Sequence, residues 1–313
     1  MQKKIIVTGA NGFTGKYLMQ ELATHGFSVV GTWHKQSPEF KIKYNWQQTD
    51  LMEYESCEQL IYKINPDAVI HLAAQNSVPK AIENPKDTIY TNVLGTANLL
   101  EAIRKSNKNI RFILSSSAAV YYSNKVERAI SEDMSVLPCN MYSLTKYIQE
   151  QLAERYRTDY NMNIICTRPF NYSGYLQEES CFIPNLCRQM SLIASGKQEA
   201  RLNMGNLHIS RDFLDVRDVV KAYRFLLEND VPNGIYNISS GKATKLQDIV
   251  NYLCNKLKIK VELYTDQSLI RKNDIRYICG DAAKIKAATK WTVNYTIFDT
   301  VDWIYESMWR KYK

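Results

Sequence analysis

Lys4-Ile-Ile-Val7 is a short apolar run that passes straight into glycine, and the polar–apolar pattern keeps alternating from there through the first half of the chain. Residues 17–24 put Leu18 and Leu22 on one helical face before His25-Gly26 stops the period. Phe27–Val30 predicts a second strand and Trp46–Asp50 a third; Cys57–Ile64 predicts a helix that halts ahead of Pro66. Asp67–Leu72 predicts a fourth strand, Thr91–Ser106 a long helix, and Ile110–Ser115 a fifth strand. A helix from Tyr142 to Tyr156 and a sixth strand over Asn163–Thr167 complete the series. Short apolar strands separated by helices of ten or more residues imply βαβ units and a parallel sheet. The expected fold is therefore α/β, a Rossmann-type doubly wound sheet with ligands at the carboxyl ends of its strands.

Beyond Arg168 the alternation fails. Loops rich in Asn, Ser, Gly and Pro surround residues 171–185. A strand over Asp212–Val216, a helix over Val219–Leu227 and a strand over Ile235–Ile238 then return to the earlier rhythm, and the tail from Thr244 mixes helices with short strands. The division this predicts is a dinucleotide-binding domain over 1–167 plus about 212–238, with a smaller interleaved substrate lobe over 168–211 and 239–313.

The first strand ends on Gly9-x-x-Gly12-x-x-Gly15 and a helix follows, the context in which this spacing signals a pyrophosphate cradle. The turn residues Asn11, Phe13 and Thr14 join the three glycines as candidate cofactor contacts. About twenty residues on, where an NAD-selective fold places an acid for the ribose, the chain reads Gly31-Thr32-Trp33-His34-Lys35. Thr32, His34 and Lys35 would accept a 2′-phosphate, so NADP(H) is favoured over NAD(H). Asp50 and Leu51, after the third strand, are expected at the adenine.

Composition narrows the class without naming it. An apolar share of 45% and a charged share of 23% over 313 residues are those of a globular protein with one large or two modest cores. No apolar run reaches the length of a membrane span, and the strand at residues 3–8 leaves no room for a signal peptide. Seven scattered cysteines without a Cys-x-x-Cys pair suit reduced thiols in a cytoplasm and predict neither a disulfide framework nor a metal site. The formal charge of +8 is dispersed rather than gathered into an arm, which argues against nucleic acid and suits a di-anionic ligand.

The chemistry sits at Ser117, Tyr142 and Lys146. Tyr142 and Lys146 are four apart and share a helical face. A phenol is a poor acid–base group at neutral pH, and the expectation is that the ammonium lowers its pKa while also holding a ribose hydroxyl. Tyr142 would then pass a proton to a carbonyl oxygen as hydride reaches its carbon, with Ser117 bonded to the same oxygen.

With these residues in view, the chain resembles the extended short-chain dehydrogenase/reductases, the NAD-dependent epimerase/dehydratase family. The resemblance rests on Thr8–Gly15, Asp50-Leu51, His71-Leu72-Ala73-Ala74, Thr91-Asn92-Val-Leu-Gly-Thr96, Ser115-Ser-Ser117, Tyr142-x-x-x-Lys146 and Arg168-Pro-Phe-Asn171. It implies a catalytic Ser/Tyr/Lys set, a bound nicotinamide cofactor contacted also by Leu72, Ala73, Ala74 and Asn92, a nucleotide-diphosphate-sugar substrate, and a homodimer built on two helices of each subunit. The second half is most similar to the GDP-4-keto-6-deoxy-D-mannose reductase subfamily, through Met204–Leu207, Arg211–Val220 and Tyr236–Gly241. That similarity implies substrate contacts at Gln75, Ser77, Asn171, Gln177, Asn206 and Arg211. Arg271 would lie on the diphosphate and Asp274 on the nucleotide ribose.

Three departures matter. Ala118-Ala119 follows Ser117 where dehydratases and many reductases carry acids, so loss of water from the sugar is disfavoured. Tyr122 replaces a glycine, and Tyr175-Leu176-Gln177 replaces Pro-Gly-Gln. Reductase and 4-epimerase remain as readings, with a 4,6-dehydratase or a non-catalytic nucleotide binder behind them. The acid-free segment after the second strand favours an NADPH-consuming reductase.

Overall fold

The computed structural model describes residues 2–35, 44–121, 128–270 and 275–313. Tyr122, Arg271 and Asp274 lie outside the described residues. The chain opens with β1 (Lys4–Thr8), α1 (Phe13–Thr24), β2 (Ser28–Trp33), β3 (Asn45–Gln48), α2 (Tyr54–Ile64) and β4 (Ala68–His71). Two short helices follow, α3 (Val78–Glu83) and α4 (Pro85–Ile89), then a π-helical turn (Tyr90–Leu94), α5 (Gly95–Lys105), β5 (Arg111–Ser115) and α6 (Met141–Asp159). The second half runs β6 (Ile164–Pro169), β7 (Asn171–Ser173), α7 (Phe182–Ala194), β8 (Arg201–Met204), β9 (Ser210–Asp215), α8 (Val216–Glu228) and β10 (Gly234–Ile238). It closes with β11 (Ala243–Lys245), α9 (Leu246–Leu257), β12 (Glu262–Thr265), β13 (Tyr277–Ile278), α10 (Ala283–Thr289) and α11 (Ile297–Tyr312).

Seven strands form one parallel sheet in the order β10-β6-β5-β4-β1-β2-β3. A parallel sheet covered on both faces needs strands that are apolar throughout, which is why Ile5, Ile6 and Val7 are all fully buried. One face packs on α1 and α8 through Leu18, Leu22, Val219, Tyr223 and Leu226. The other packs on α2 and α5 through Leu60, Leu99, Leu100 and Ile103. Chain order reverses between β1 and β4, so the crevice beyond their carboxyl ends is the sheet's switch point. The expected α/β fold with a doubly wound parallel sheet is the fold observed.

The strand read as Asp212–Val216 begins two residues earlier and lies elsewhere. β9 pairs with β7, β11 and β13 in a small separate sheet, and only α8 and β10 rejoin the large one. A second apolar core, of Leu186, Met190, Leu202, Ile249, Leu253, Val301 and Ile304 among others, fills the space between α7, α9 and α11. The tail is not confined to that core, because Ile285 of α10 and Trp291 pack against the large sheet. The long helix read over Thr91–Ser106 is also interrupted. Its first turn is π-helical, which adds a residue per turn and rotates Asn92 inward.

Candidate active site

The switch-point crevice is bounded by the turn after β1 and by Leu72–Ala74 after β4. Gly9 has a φ of 67°, and a Cβ on it would stand 2.7 Å from the Ala73 nitrogen. Gly15 lies in the first turn of α1, where a Cβ would stand 2.4 Å from the Gly9 carbonyl oxygen. Both positions require glycine, one for a left-handed backbone and one for close approach of helix to turn. Gly12 sits at the amino end of α1 with no side chain to cap it, and the first turn carries no acid. The first N–H groups of α1 thus lack an internal acceptor and add to the helix's positive end, the arrangement that receives a pyrophosphate. The cradle fits a dinucleotide. Beside it, Phe13 stacks on Tyr172 at 6.1 Å and Thr14 Oγ1 lies 2.9 Å from the Tyr172 hydroxyl, which joins the cradle to β7.

At the far end of the crevice an acid absent from the sequence window comes from the loop after β3. His34 Nε2 lies 3.0 Å from Asp50 Oδ2, so the two meet each other. Their expected partners were a 2′-phosphate and an adenine respectively. Thr32 is buried at 3% exposure within β2, whereas Lys35 is exposed. Leu51 also turns part of its role inward, its carbonyl accepting from Asn98 Nδ2 at 3.0 Å.

Ser117 ends the loop after β5, and its Oγ accepts from the Ala119 nitrogen at 3.1 Å. Tyr142 enters from the first turn of α6, which is fixed by a capping box between Asn140 and Ser143. The Ser117 hydroxyl lies near enough to the Tyr142 phenol to influence its titration. Burial pushes the Tyr142 phenol up to about 12, the Ser117 hydroxyl opposing it. Lys146 is buried, and its Nζ donates to the Ser115 carbonyl at 2.8 Å. Burial pushes this lysine down to about 8, and the Glu150 carboxylate works against that shift. The expected fall in the tyrosine's pKa is therefore absent in this ligand-free geometry, because desolvation of the phenolate dominates. The phenol keeps its proton at neutral pH, the state a proton donor needs.

Several residues expected to touch ligand also hold the loops that shape the crevice. Asn92 is fully buried; its Oδ1 accepts from the Gln75 nitrogen at 2.7 Å, and its Nδ2 donates to Thr145 Oγ1 at 3.0 Å. Asn92 thus braces the Gln75 loop against α6. Gln75 bonds Ser77 and Thr88, and Ser77 caps α3. Gln177 is tied to the Ser173 hydroxyl at 2.6 Å and the Tyr172 carbonyl at 3.2 Å. Asn206 Oδ1 accepts from the His208 nitrogen at 3.0 Å. Arg211 is buried to 9% on β9 and donates to the Ser210 carbonyl, whereas Asn171 is exposed at the start of β7.

Sequence reasoning passed over His71 except as part of a motif. Thr96 Oγ1 donates to the Asn92 carbonyl at 2.6 Å and so can only accept from His71 Nε2 at 2.9 Å and Gln149 Nε2 at 2.6 Å. His71 is therefore the Nε2–H tautomer, and its Nδ1 accepts from Thr8 Oγ1 at 2.7 Å. Burial, with Lys146 adding to it, pushes this imidazole down to about 3, so it is neutral. The chain of bonds links the residue before Gly9 to α6. Only the buried placement of two threonines and a histidine reveals it, and no spacing in the sequence does.

A glycine cradle at the switch point of a parallel sheet, facing a Ser–Tyr–Lys set, defines a nicotinamide-dependent oxidoreductase site of the short-chain dehydrogenase/reductase type. The family description GDP-mannose 4,6 dehydratase matches residues 6–303, and the chain belongs to that family of extended enzymes. It is 33% identical over 299 residues to GDP-6-deoxy-D-mannose reductase of Pseudomonas aeruginosa, covering 95% of this chain and 94% of that one. It is 29% identical over 285 residues to GDP-6-deoxy-D-talose 4-dehydrogenase of Aggregatibacter actinomycetemcomitans, covering 90% of each. The solved structure of RMD from Pseudomonas aeruginosa complexed with NADPH superposes with a TM-score of 0.85 at 30% identity, covering 99% of this chain and 100% of that one.

Proposed function

We propose that the protein is an NADPH-dependent reductase of the C4 ketone in a nucleotide-diphospho-4-keto-6-deoxy-sugar, with GDP the favoured nucleotide. The observation that carries this reading is the Tyr142 phenol, kept protonated by burial beside Ser117 and one helical turn from Lys146, in a crevice that ends at the glycine cradle. When bound, the reduced nicotinamide supplies the hydride that adds to C4 as the carbonyl π bond opens. Ser117 orients the ketone oxygen by a hydrogen bond, and Tyr142 passes its phenolic proton to that oxygen as negative charge develops there. Lys146, cationic below about 8, stabilises the phenolate left behind. Gly9, Gly12, Gly15 and the amino end of α1 would hold the pyrophosphate, with Asn11, Phe13, Thr14 and Leu72–Ala74 along the same wall and His34 and Lys35 at the ribose phosphate.

Asn171, Asn206 and Arg211 are the residues proposed to meet the sugar nucleotide. Arg271 and Asp274 join them on the strength of the subfamily pattern alone. The turn of Ala118–Val120 beside Ser117 carries no carboxylate, which supports reduction over dehydration. Homodimerisation is supported by Ile89, Tyr90 and Leu94 on the α4–α5 segment and by Leu144 on α6, all exposed large apolar side chains. A cytoplasmic location accords with a dependence on NADPH and with seven free cysteines.

The test is to offer 4-keto-6-deoxy-sugars on GDP, dTDP, CDP and UDP and follow NADPH absorbance. The reading expects consumption that is fastest with GDP. Consumption with none of them, alongside interconversion of 4-hydroxy sugars without added cofactor, would replace it with a 4-epimerase.

A further inference from the structure

The most deeply buried ion pair among the described residues lies directly beneath the reacting set. Glu150 is four residues beyond Lys146 and eight beyond Tyr142, so the three share one face of α6. Both Glu150 oxygens are taken by Arg168, at 2.9 Å from Nε and 2.6 Å from Nη2, with the two side chains 1% and 3% exposed. The remaining guanidinium nitrogen donates to the Tyr121 hydroxyl at 2.8 Å, and the guanidinium lies 4.6 Å from that ring's centroid. Tyr121 in turn donates to Asn237 Oδ1 at 2.8 Å on β10. The carboxylate is thus clamped from β6, and the clamp is anchored one strand further out.

Stability alone is a weak reason for such a pair, because replacing a buried ion pair by apolar residues is often neutral or favourable. Its neighbours supply a better one. Lys146 and Arg168 are two buried cations with one carboxylate between them. The other groups near Lys146 do not offset its charge: the Ser115 carbonyl on β5 accepts its hydrogen bond, His71 on β4 is neutral, and the Tyr142 phenol on its own helix face is protonated.

We propose that Glu150, clamped by Arg168, is a positioning residue for Lys146: its carboxylate keeps the buried ammonium charged on the helix face that carries Tyr142. This rests on the reading of Lys146 as part of the reacting set. The direction agrees with the influence of Glu150, which opposes the burial that depresses Lys146. Removing the carboxylate leaves two cations unscreened, so Lys146 sheds its proton at lower pH and the alkaline limb of activity moves down.

The experiment is a pH titration of the ligand-free full chain labelled with 13C-lysine, with the Lys146 signal assigned through Lys146→Met. In Glu150→Gln the midpoint should fall by about one pH unit from its wild-type position near 8. Glu150→Asp should restore most of it. Should Glu150→Gln fail to fold, the doubly neutral Glu150→Gln/Arg168→Gln decides, with a smaller fall expected. A midpoint unchanged in the folded single variant, or unchanged in the double variant, overturns the proposal. The alkaline limb of NADPH-dependent kcat/KM should move in parallel. If no 4-keto sugar is turned over by any variant, the reductase reading fails while the titration still judges the role of Glu150.

Discussion

The two helices that serve the crevice begin in opposite ways. α1 starts on a glycine, with no capping side chain and no acid in its first turn; α6 starts on a reciprocal Asn140–Ser143 box that satisfies its first donors internally. The incomplete end of α1 has donors and a dipole to offer an anion. The capped end of α6 has its Asn140 and Ser143 N–H groups taken up by the box, and it holds Tyr142 and Lys146 at fixed positions. At this crevice the uncapped end of α1 suits a charged ligand and the capped end of α6 carries side chains for the chemistry.

The contrast can be broken from either side. Gly12→Asp gives α1 its own cap and acid; the Gly12 backbone is extended, with φ −75°, and the added Cβ would stand 3.2 Å from the Gly9 carbonyl oxygen, so the turn must give slightly. Fold stability should change by less than about 1 kcal/mol, while the dinucleotide Kd measured by calorimetry should rise at least about tenfold. An unchanged Kd would mean that the α1 terminus is not the pyrophosphate site. Asn140→Ala should do the reverse, costing about 1 kcal/mol in denaturant unfolding with dinucleotide affinity preserved.

The smallest effect concerns the loop on the sugar side. Leu176 has a φ of 71°, and the Gln177 nitrogen donates to the Gly174 carbonyl, so a leucine occupies the left-handed position of a turn that favours glycine. Leu176→Gly should stabilise the fold by up to about 1 kcal/mol, the relief of strain being partly offset by greater freedom in the unfolded chain. A loss of stability in thermal unfolding would contradict this.

What the sequence made legible follows the same contrast. Strand runs such as Ile5–Val7, the Gly9–Gly15 spacing and the four-residue step from Tyr142 to Lys146 are local patterns, and each appears where its period implies. β9 was misplaced because a short strand with Phe213 and Leu214 at its centre reads alike in either sheet, and only long-range pairing with β7, β11 and β13 assigns it. Asn92, Gln75 and Gln177 are ligand contacts on the resemblance alone, and their bracing of the crevice loops, through hydrogen bonds to residues up to 53 positions away, is not written in any local spacing. The Asp50–His34 pair was missed for the same reason, since strand neighbours in a sheet need not be neighbours in sequence. Glu150 was within reach, four residues past Lys146 on the same face, but its meaning depends on Arg168 across the sheet.

The central claim is that Tyr142 gives the proton while the rest of the site binds and orients. Its most direct measurement is Tyr142→Phe in steady-state NADPH oxidation with a GDP-4-keto-6-deoxy-sugar, alongside calorimetric affinities for both ligands. The account predicts a fall in kcat of about 10²- to 10⁴-fold with both affinities within about twofold of wild type. Turnover within a few-fold of wild type would contradict it and require another proton donor in the crevice.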